Sequence, residues 1–287
     1  MAKRLIFGCG YVGERAAALW QEAGDDVFAV TRSEARTTAF REQGWRPIIA
    51  DVTDPASLNE LPEADTVLFA VGYDRSVDAS IAEVYAGGVA AVIEALPAGT
   101  GRFVYVSSTG VYGDAGGDWV DESTTPNPGR AGGKASLAAE RVVAKSRFAA
   151  NSATLRLAGI YGPDRLPYLK AIKAGEPIAA SQTGWLNLIH RDDAAAVVVA
   201  SAAAEAPPGL LCVSDGSPPQ RSDYYAEVAR LLRAPAPRFV DPEPGSPRAA
   251  RAAADKRVSN QRLVDGLGHR LRYPDYRSGL AAILGDG

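Results

Sequence analysis

The stretch Leu5-Ile6-Phe7-Gly8-Cys9-Gly10-Tyr11-Val12-Gly13 decides the fold. A short apolar run closes on glycines in G-x-G-x-x-G spacing, and an alanine-rich segment at helical spacing follows at once. This reads as strand, tight turn and helix, the phosphate cradle of a dinucleotide-binding fold. Gly8 permits the sharp turn, Gly10 lets the backbone approach a pyrophosphate, and Gly13 lets the helix pack close to the strand. Tyr11 and Val12 lie in the same turn, where the helix N-terminus offers free N–H groups and a partial positive charge to an anion. Cys9 reads as a small filler of the turn rather than a nucleophile.

Outward from that turn, strand-like and helix-like segments alternate. A helix over Tyr11–Ala23 carries Val12, Ala16, Leu19 and Ala23 on one face. Val27–Val30, Pro47–Ala50, Thr66–Val71, Phe103–Ser107 and Ala153–Leu157 read as strands. Glu34–Gln43, Val77–Leu96 (interrupted by Gly87-Gly88) and Leu137–Ala149 read as helices, the last after a Gly/Pro-rich loop. This rhythm predicts an α/β fold, a Rossmann-type doubly wound parallel sheet covered on both faces. It loosens after Gly162. Leu166–Ala174, Asp192–Ala204 and Ser222–Leu232, with Ser222 as its cap, read as helices; Ile178–Ala180, Trp185–Ile189 and Leu210–Ser214 read as strands. Five prolines between Pro235 and Pro247 mark an irregular connector. The expected organisation is a dinucleotide-binding domain over 1–162, with contributions from about 185–215. A smaller, interleaved C-terminal substrate lobe covers 163–287.

With 287 residues the chain can bury a substantial core, and a net charge of −3 gives no bias toward nucleic acid or membrane. No run approaches the ~18 apolar residues of a membrane span. The cysteines, Cys9 and Cys212, fall in different strand contexts and imply no disulfide framework. The first strand begins near Met1, which leaves no room for a signal peptide, so a cytoplasmic protein is expected. No metal-ligand spacing is visible, and the histidines, His190 and His269, are isolated in sequence. The expected partner is a small molecule.

The residue ending the second strand selects between NAD and NADP. A carboxylate there binds the ribose 2′-hydroxyl and repels a 2′-phosphate. Here Thr31 takes that place, followed by Arg32 and Ser33, with Arg36 one turn further. A guanidinium can fork onto a phosphate, which favours NADP over NAD. Asp51 and Val52 follow the third strand. Asp51 either bonds an adenine amino group or caps the turn before Asp54-Pro55, and Val52 packs on the ring. Ala70, Val71 and Gly72 end the fourth strand with small residues that leave room for a ribose. All these stretches lie beyond strand carboxyl ends and line one crevice.

Further along, Phe103-Val104-Tyr105-Val106-Ser107-Ser108-Thr109-Gly110-Val111-Tyr112-Gly113 resembles the fifth strand of extended short-chain dehydrogenases/reductases, the NAD-dependent epimerase/dehydratase group. Leu155–Pro163, Asn187–Asp193 and the tail segment Lys256–Leu263 followed by Leu267-Gly268 are similar to further patterns of that group. The resemblance runs almost the full chain. It implies a catalytic serine or threonine with a Y-x-x-x-K pair, in which a lysine cation favours tyrosine phenolate. Ser108 falls on the serine position with Thr109 beside it, and Lys134 falls on the lysine position. Four residues before Lys134 stands Arg130, which is permanently charged and cannot be the usual proton donor. Gly87 stands where these enzymes often carry an asparagine. The substitutions leave three routes open. Tyr112 or Tyr161 supplies the proton, the substrate needs little acid help, or the protein binds NADP without turnover.

On the substrate side the resemblance points to Tyr161–Arg165 and Trp185–His190, with Asn187 and His190 as hydrogen-bond donors. For His190 a structural contact with the neighbouring acidic pair is the competing reading. Arg248, Arg251, Lys256 and Arg257 form a basic stretch that either meets a diphosphate or is a solvated helix face. The alanine-rich face of Leu137–Ala149 permits the close packing of a homodimer. The expected function is that of an NADP-dependent oxidoreductase or epimerase-like enzyme of atypical active site. Its substrate is a small polar, sugar-related molecule. The alternative is a non-catalytic NADP-binding sensor or interaction protein.

Overall fold

A computed structural model of the chain describes residues 1–246, 249–250 and 253–285. Arg248 and Arg251 of the basic tail stretch lie outside the described residues. The chain divides into two compact units. The first takes Met1–Val111, Ala131–Arg156 and Ala195–Leu211, and the second takes Tyr112–Arg130, Leu157–Ala194 and Cys212–Gly287.

The first unit is organised on a seven-stranded sheet. Its strands are β1 (Lys3–Phe7), β2 (Asp26–Thr31), β3 (Arg46–Ile49), β4 (Thr66–Phe69), β5 (Arg102–Ser108), β7 (Ser152–Leu157) and β11 (Gly209–Val213). They lie in the order β11-β7-β5-β4-β1-β2-β3. The chain runs outward from β1 to β3, then jumps back to β4 on the other side of β1. That reversal opens a crevice beyond the carboxyl ends of β1 and β4, where ligands bind in such sheets.

Register fixes the core. Phe7 pairs with Phe69 and Phe69 with Tyr105, so an aromatic row crosses three strands with ring centroids 6.2 and 6.1 Å apart. Against this row pack Val89 and Val92 of α3 (Gly88–Ala95) and Ala139 and Val143 of α4 (Ala131–Lys145). Ile6, Leu68 and Val104 alternate to the opposite face and are fully buried as well. Each such large side chain contributes about 1.5–3 kcal/mol by burial. The remaining helices here are α1 (Gly13–Glu22) and α2 (Glu34–Glu42); α6 (Arg191–Ala203) contributes its last nine residues.

The second unit carries short parallel pairs: β8 (Gly159–Tyr161) with β10 (Leu188–His190), β9 (Ile178–Ala179) with β12 (Phe239–Val240), and β6 (Trp119–Val120) with β13 (Arg257–Val258). Its helices include α5 (Leu169–Lys173), α7 (Arg221–Leu231), α8 (Gln261–Leu267) and α9 (Tyr276–Leu284). Tyr161, Ile172, Ile178, Tyr224, Val228 and Leu280 centre its core.

Three local expectations need correction. Helix α4 begins at Ala131, six residues before the expected Leu137, and takes in Gly132-Gly133. Gly133 is buried and a Cβ on Gly132 would stand 3.7 Å from Ile81 Cδ1, so tertiary packing overrides the low helix propensity of glycine. The helix expected from Val77 starts only at residue 81, and Glu83–Gly87 winds as a wider π turn before α3. Gly88 does not interrupt it but admits Val52, whose Cγ2 would stand 2.8 Å from a Cβ at that position. Ser222 lies inside α7 rather than capping it; its N–H donates to the Gln182 carbonyl at 3.1 Å, and Gln220 takes the cap position.

Candidate functional site

The glycine turn is built from steric necessity. Gly8 has a φ of +83°, and a Cβ there would stand 2.4 Å from the carbonyl carbon and oxygen of Ala70. A Cβ on Gly13 would stand 2.4 Å from the Gly8 carbonyl oxygen. Both glycines are therefore fixed by backbone meeting backbone. Gly10 is different. Its N–H closes the turn on the Gly8 carbonyl at 2.8 Å, yet a Cβ on it would meet nothing within 4 Å. Helix α1 starts just beyond, with Val12 at its cap position and no side-chain capping bond. Open space over Gly10 and an uncapped helix start are two features that an anion cradle requires.

Two guanidiniums follow β2, Arg32 directly and Arg36 in the first turn of α2. Arg36, half exposed, donates through Nη2 to the Cys9 carbonyl and to Glu14 Oε1, both at 2.5 Å, so it lies across the glycine turn. Arg32 pairs with Asp74 at 3.2 Å, both about half exposed. Such surface pairs are worth little and exchange readily for a stronger acceptor. Thr31 Oγ1 accepts the Ser33 N–H at 3.1 Å, which shapes the bend between β2 and α2. Asp51 Oδ1 accepts from the N–H and hydroxyl of Thr53 at 2.8 and 2.7 Å, so one of its oxygens caps the following turn. Val52 is buried within the core against α3. Ala70, Val71 and Gly72 leave open space at Gly72. Burial pushes the Cys9 thiol up to about 12, which keeps it protonated and unreactive.

At the end of β5, neighbouring serines face opposite sides. Ser107 is buried and donates to Glu140 Oε1 at 2.5 Å. Ser108 is half-buried; its Oγ accepts the Gly110 N–H at 3.1 Å, which leaves its own proton to donate. Thr109 follows, buried in the turn. Lys134 sits in the first turn of α4, exposed, and meets no polar partner among the described residues. Behind this surface, Arg156 of β7 forks onto Glu140 of α4, Nε at 3.0 Å and Nη2 at 2.7 Å. Tyr105 bonds Ser136, and its phenol is held well above the usual range, first by burial and then by Glu140 and Tyr85. Sequence reasoning missed this network. Its trace was Glu140, a charged residue in register with the apolar Ala139 and Val143.

In the second unit, Tyr112 is buried with its hydroxyl donating to the Asp121 carbonyl at 2.6 Å and 3.0 Å from Cys212 Sγ. Tyr161 is also buried; desolvation, then Asp215, Tyr224, Asp193 and Asp275, raise its phenol far above 10. The His190 ring lies tilted with its centroid 4.1 Å from that of Tyr273, and its Nδ1 accepts the Asp192 N–H at 3.1 Å. Burial holds the His190 imidazole below its ordinary range. Asn187 bonds the tail on both sides of one residue: Nδ2 donates to the Lys256 carbonyl at 2.9 Å and Oδ1 accepts the Val258 N–H at 2.6 Å. Arg257 lies between Trp119 and Trp185, 5.1 Å from each ring. No helix among the described residues is long and apolar enough to cross a membrane.

Residues 5–210 match the NAD dependent epimerase/dehydratase family. Protein YeeZ of Escherichia coli strain K12 is 28% identical over 283 residues, covering 96% of this chain and 97% of that protein. A 3-diazoavenalumate denitrifying reductase of Streptomyces sp is 27% identical over 300 residues, covering 94% and 96%. The solved structure of a conserved protein of unknown function from Silicibacter pomeroyi superposes with a TM-score of 0.81 at 30% identity, over 100% of this chain and 99% of that one.

Proposed function

Since the chain belongs to the NAD dependent epimerase/dehydratase family, we propose that it is an NADP-dependent oxidoreductase with an atypical active site, acting on a small polar, sugar-related molecule. The observation that carries this reading is the glycine turn, closed by packing at Gly8 and Gly13, open at Gly10, and overlaid by Arg36. Bound NADP would supply the hydride. Gly10, Tyr11, Val12 and Gly13 hold its pyrophosphate with backbone N–H groups. Thr31, Arg32 and Ser33 would surround the adenosine 2′-position with Arg36 behind them; Thr31 rather than a carboxylate ends β2, and a phosphate would compete with Asp74 and Glu14 for the two guanidiniums. Asp51 and Val52 bound the adenine, and Ala70, Val71 and Gly72 leave space for the ribose. Lys134, without a partner of its own, bonds ribose hydroxyls. Ser108 donates its free proton to the substrate, with Thr109 beside it, and so polarises the hydride acceptor. Tyr161, His190 and Tyr112 are buried and Asn187 is held by the tail backbone, so these residues would shape the substrate lobe from within rather than touch the ligand.

Arg130 shapes the chemistry. A guanidinium orients and binds but does not deliver a proton near neutral pH. The matching substrate is therefore one whose acceptor atom is already electron-poor, such as an iminium or an activated double bond. The Streptomyces relative is by name a denitrifying reductase of a diazo compound. A second reading, an NADP-binding sensor without turnover, is favoured by the joint replacements Arg130 and Gly87. NADPH fluorescence with a panel of carbonyls, imines and nucleotide sugars separates the two. Turnover on an electron-poor acceptor supports the enzyme, and tight binding with no oxidation on any of them supports the sensor. Gly10→Val, which has room in the fold, should abolish NADPH binding while leaving the melting temperature unchanged. Unaltered binding in that variant would overturn the cradle.

A further inference from the structure

Beside the β6–β13 pair the second unit carries an open cavity of about 480 Å³. Sites for small molecules span roughly 300–1,000 Å³. No residue lining this cavity has a part in the function proposed above. Its walls are set by local structure. Trp119 pairs with Arg257 and Val120 with Val258, and the Ser259 N–H donates to the Val120 carbonyl at 2.9 Å. Both valines are buried, which holds the two strands on the core. Past β6 the chain turns on Asp121, whose Oδ1 accepts the N–H groups of Ser123 and Thr124 at 2.9 and 3.1 Å. Past β13 it runs through Ser259 and Asn260 into α8, which opens on Gln261. Asn260 Nδ2 donates to the Ser214 carbonyl at 2.8 Å, which fixes its amide. Gly216 sits at a φ of +76°, and a Cβ there would stand 2.5 Å from Asn260 Oδ1. A side chain at 216 would cover that oxygen.

The groups left over decide what fits. Asp121 Oδ2 and Asn260 Oδ1 accept no hydrogen bond from the described residues, since the bonds of these side chains run through Oδ1 and Nδ2. Gln261 gives its Nε2 to Asp265 at 2.9 Å, which leaves Oε1 open as well. The Ser259 hydroxyl accepts the Gln261 N–H at 3.3 Å and keeps its proton to donate. Trp119 is half exposed, and its indole N–H meets no acceptor among the described residues. Three open acceptors and two open donors thus stand around one indole. A hydroxyl group both donates and accepts, so a ring bearing several of them uses both kinds, with its C–H face against the indole. An anion would face the Asp121 carboxylate. A cation would leave the donors unused and approach Arg257, whose guanidinium already lies 5.1 Å from the Trp119 ring.

We propose that this cavity binds a neutral polyhydroxylated ring, the pyranose of a saccharide. Trp119 is its stacking platform, and Asp121 Oδ2 and Asn260 Oδ1 accept from its hydroxyls. The site lies within the second unit and uses neither cofactor nor hydride, so it goes beyond the function proposed above.

Magnetic-resonance titration of the isotope-labelled full chain tests it. The probes are methyl glucopyranoside and methyl galactopyranoside, with butylammonium and benzoate as charged controls. The indole N–H resonance of Trp119, identified by its absence in Trp119→Phe, should shift with at least one pyranoside and with neither control. The Asn260 side-chain amide signals then report affinity in the variants. Trp119→Ala should weaken that pyranoside by about tenfold or more, the scale of losing a large apolar contact. Asp121→Asn keeps the Oδ1 turn and should cost about fivefold. Neither should change the melting temperature. A Trp119 resonance that no pyranoside moves, a shift produced by a charged control instead, or equal affinity in wild type and both variants overturns the site, and the first two readouts need no variant. NADPH titration of the same proteins should be unchanged. A pyranoside that oxidises NADPH without moving Trp119 would support the reductase and strike this site, whereas loss of NADPH binding would strike the cofactor reading and leave this one standing.

Discussion

Two buried charges in this chain live under opposite conditions. Glu140 in the first unit is met by both nitrogens of an Arg156 fork and by the Ser107 hydroxyl. Lys256 in the second is met by one carbonyl, with Asp114 and Asp255 supporting its charge and Arg130 and Arg221 opposing it, but no carboxylate bonds it. Their exposures are alike, 9% and 6%. Satisfaction of the charge, rather than depth, separates them. The paired charge joins α4 to β5 and β7 and has nothing left to offer a ligand. The unpaired one adds little to the fold and keeps its hydrogen-bonding capacity free.

Arg156→Met gives the largest expected effect. It strands Glu140, and chemical denaturation should show a loss of about 3–5 kcal/mol. A loss below 1 kcal/mol would mean that the two charges are not different in kind.

Asp215 extends the contrast to an acid. Its Oδ1 accepts the Ser217 N–H at 3.0 Å, while its Oδ2 is buried without a partner. Burial brings this carboxyl up to about 7 from 3.8. Between those values the folded chain holds a proton that the unfolded chain has lost, so stability falls as pH rises from 4 to 7. Asp215→Asn should remove that fall and gain about 2–4 kcal/mol at pH 8. An identical pH profile in the variant would show that the acid is solvated.

For Lys256 the ordinary value is 10.5 and the folded one about 8. Between these the unfolded chain holds the extra proton, so this lysine's contribution to stability rises from pH 8 to 10.5 and is lowest below 8. Lys256→Met should therefore be as stable as wild type at pH 7, or more so by up to about 3 kcal/mol, with the gap closing toward pH 10. Destabilisation on the scale of Arg156→Met would break the comparison.

Arg36 supplies the exposed case. Its pair with Glu14 is half in water, so Arg36→Ala should change stability by less than about 0.5 kcal/mol. NADPH affinity should nonetheless drop by about tenfold, roughly 1.4 kcal/mol, with NADH affinity unaltered. Equal losses for both cofactors would remove Arg36 from the 2′-phosphate.

The glycine turn was legible because its requirements are local: nine consecutive residues spell out strand, turn and helix. The parallel sheet was legible from the same kind of rhythm. What escaped depends on partners distant in sequence. Asn187 reads as a donor toward substrate, yet its amide is matched to a backbone some 70 residues on. Lys256 reads as one of a basic run, and only the fold shows it drawn inward while Arg257 lies between two indoles. The early start of α4 was hidden because a glycine pair argues against helix, and only the packing of Gly133 in the fold outweighs that propensity.

The strand order has a consequence for synthesis. β7 cannot be covered by β11 until residue 213 has left the ribosome, about fifty residues after β7 itself. At roughly 5–20 residues per second that leaves β7 as an open sheet edge for about 3–10 s. An open edge invites pairing with another nascent chain, and a charge pointing inward from the strand discourages it. Arg156 is that charge on β7, so the residue that completes the buried pair in the finished protein also guards the unfinished one.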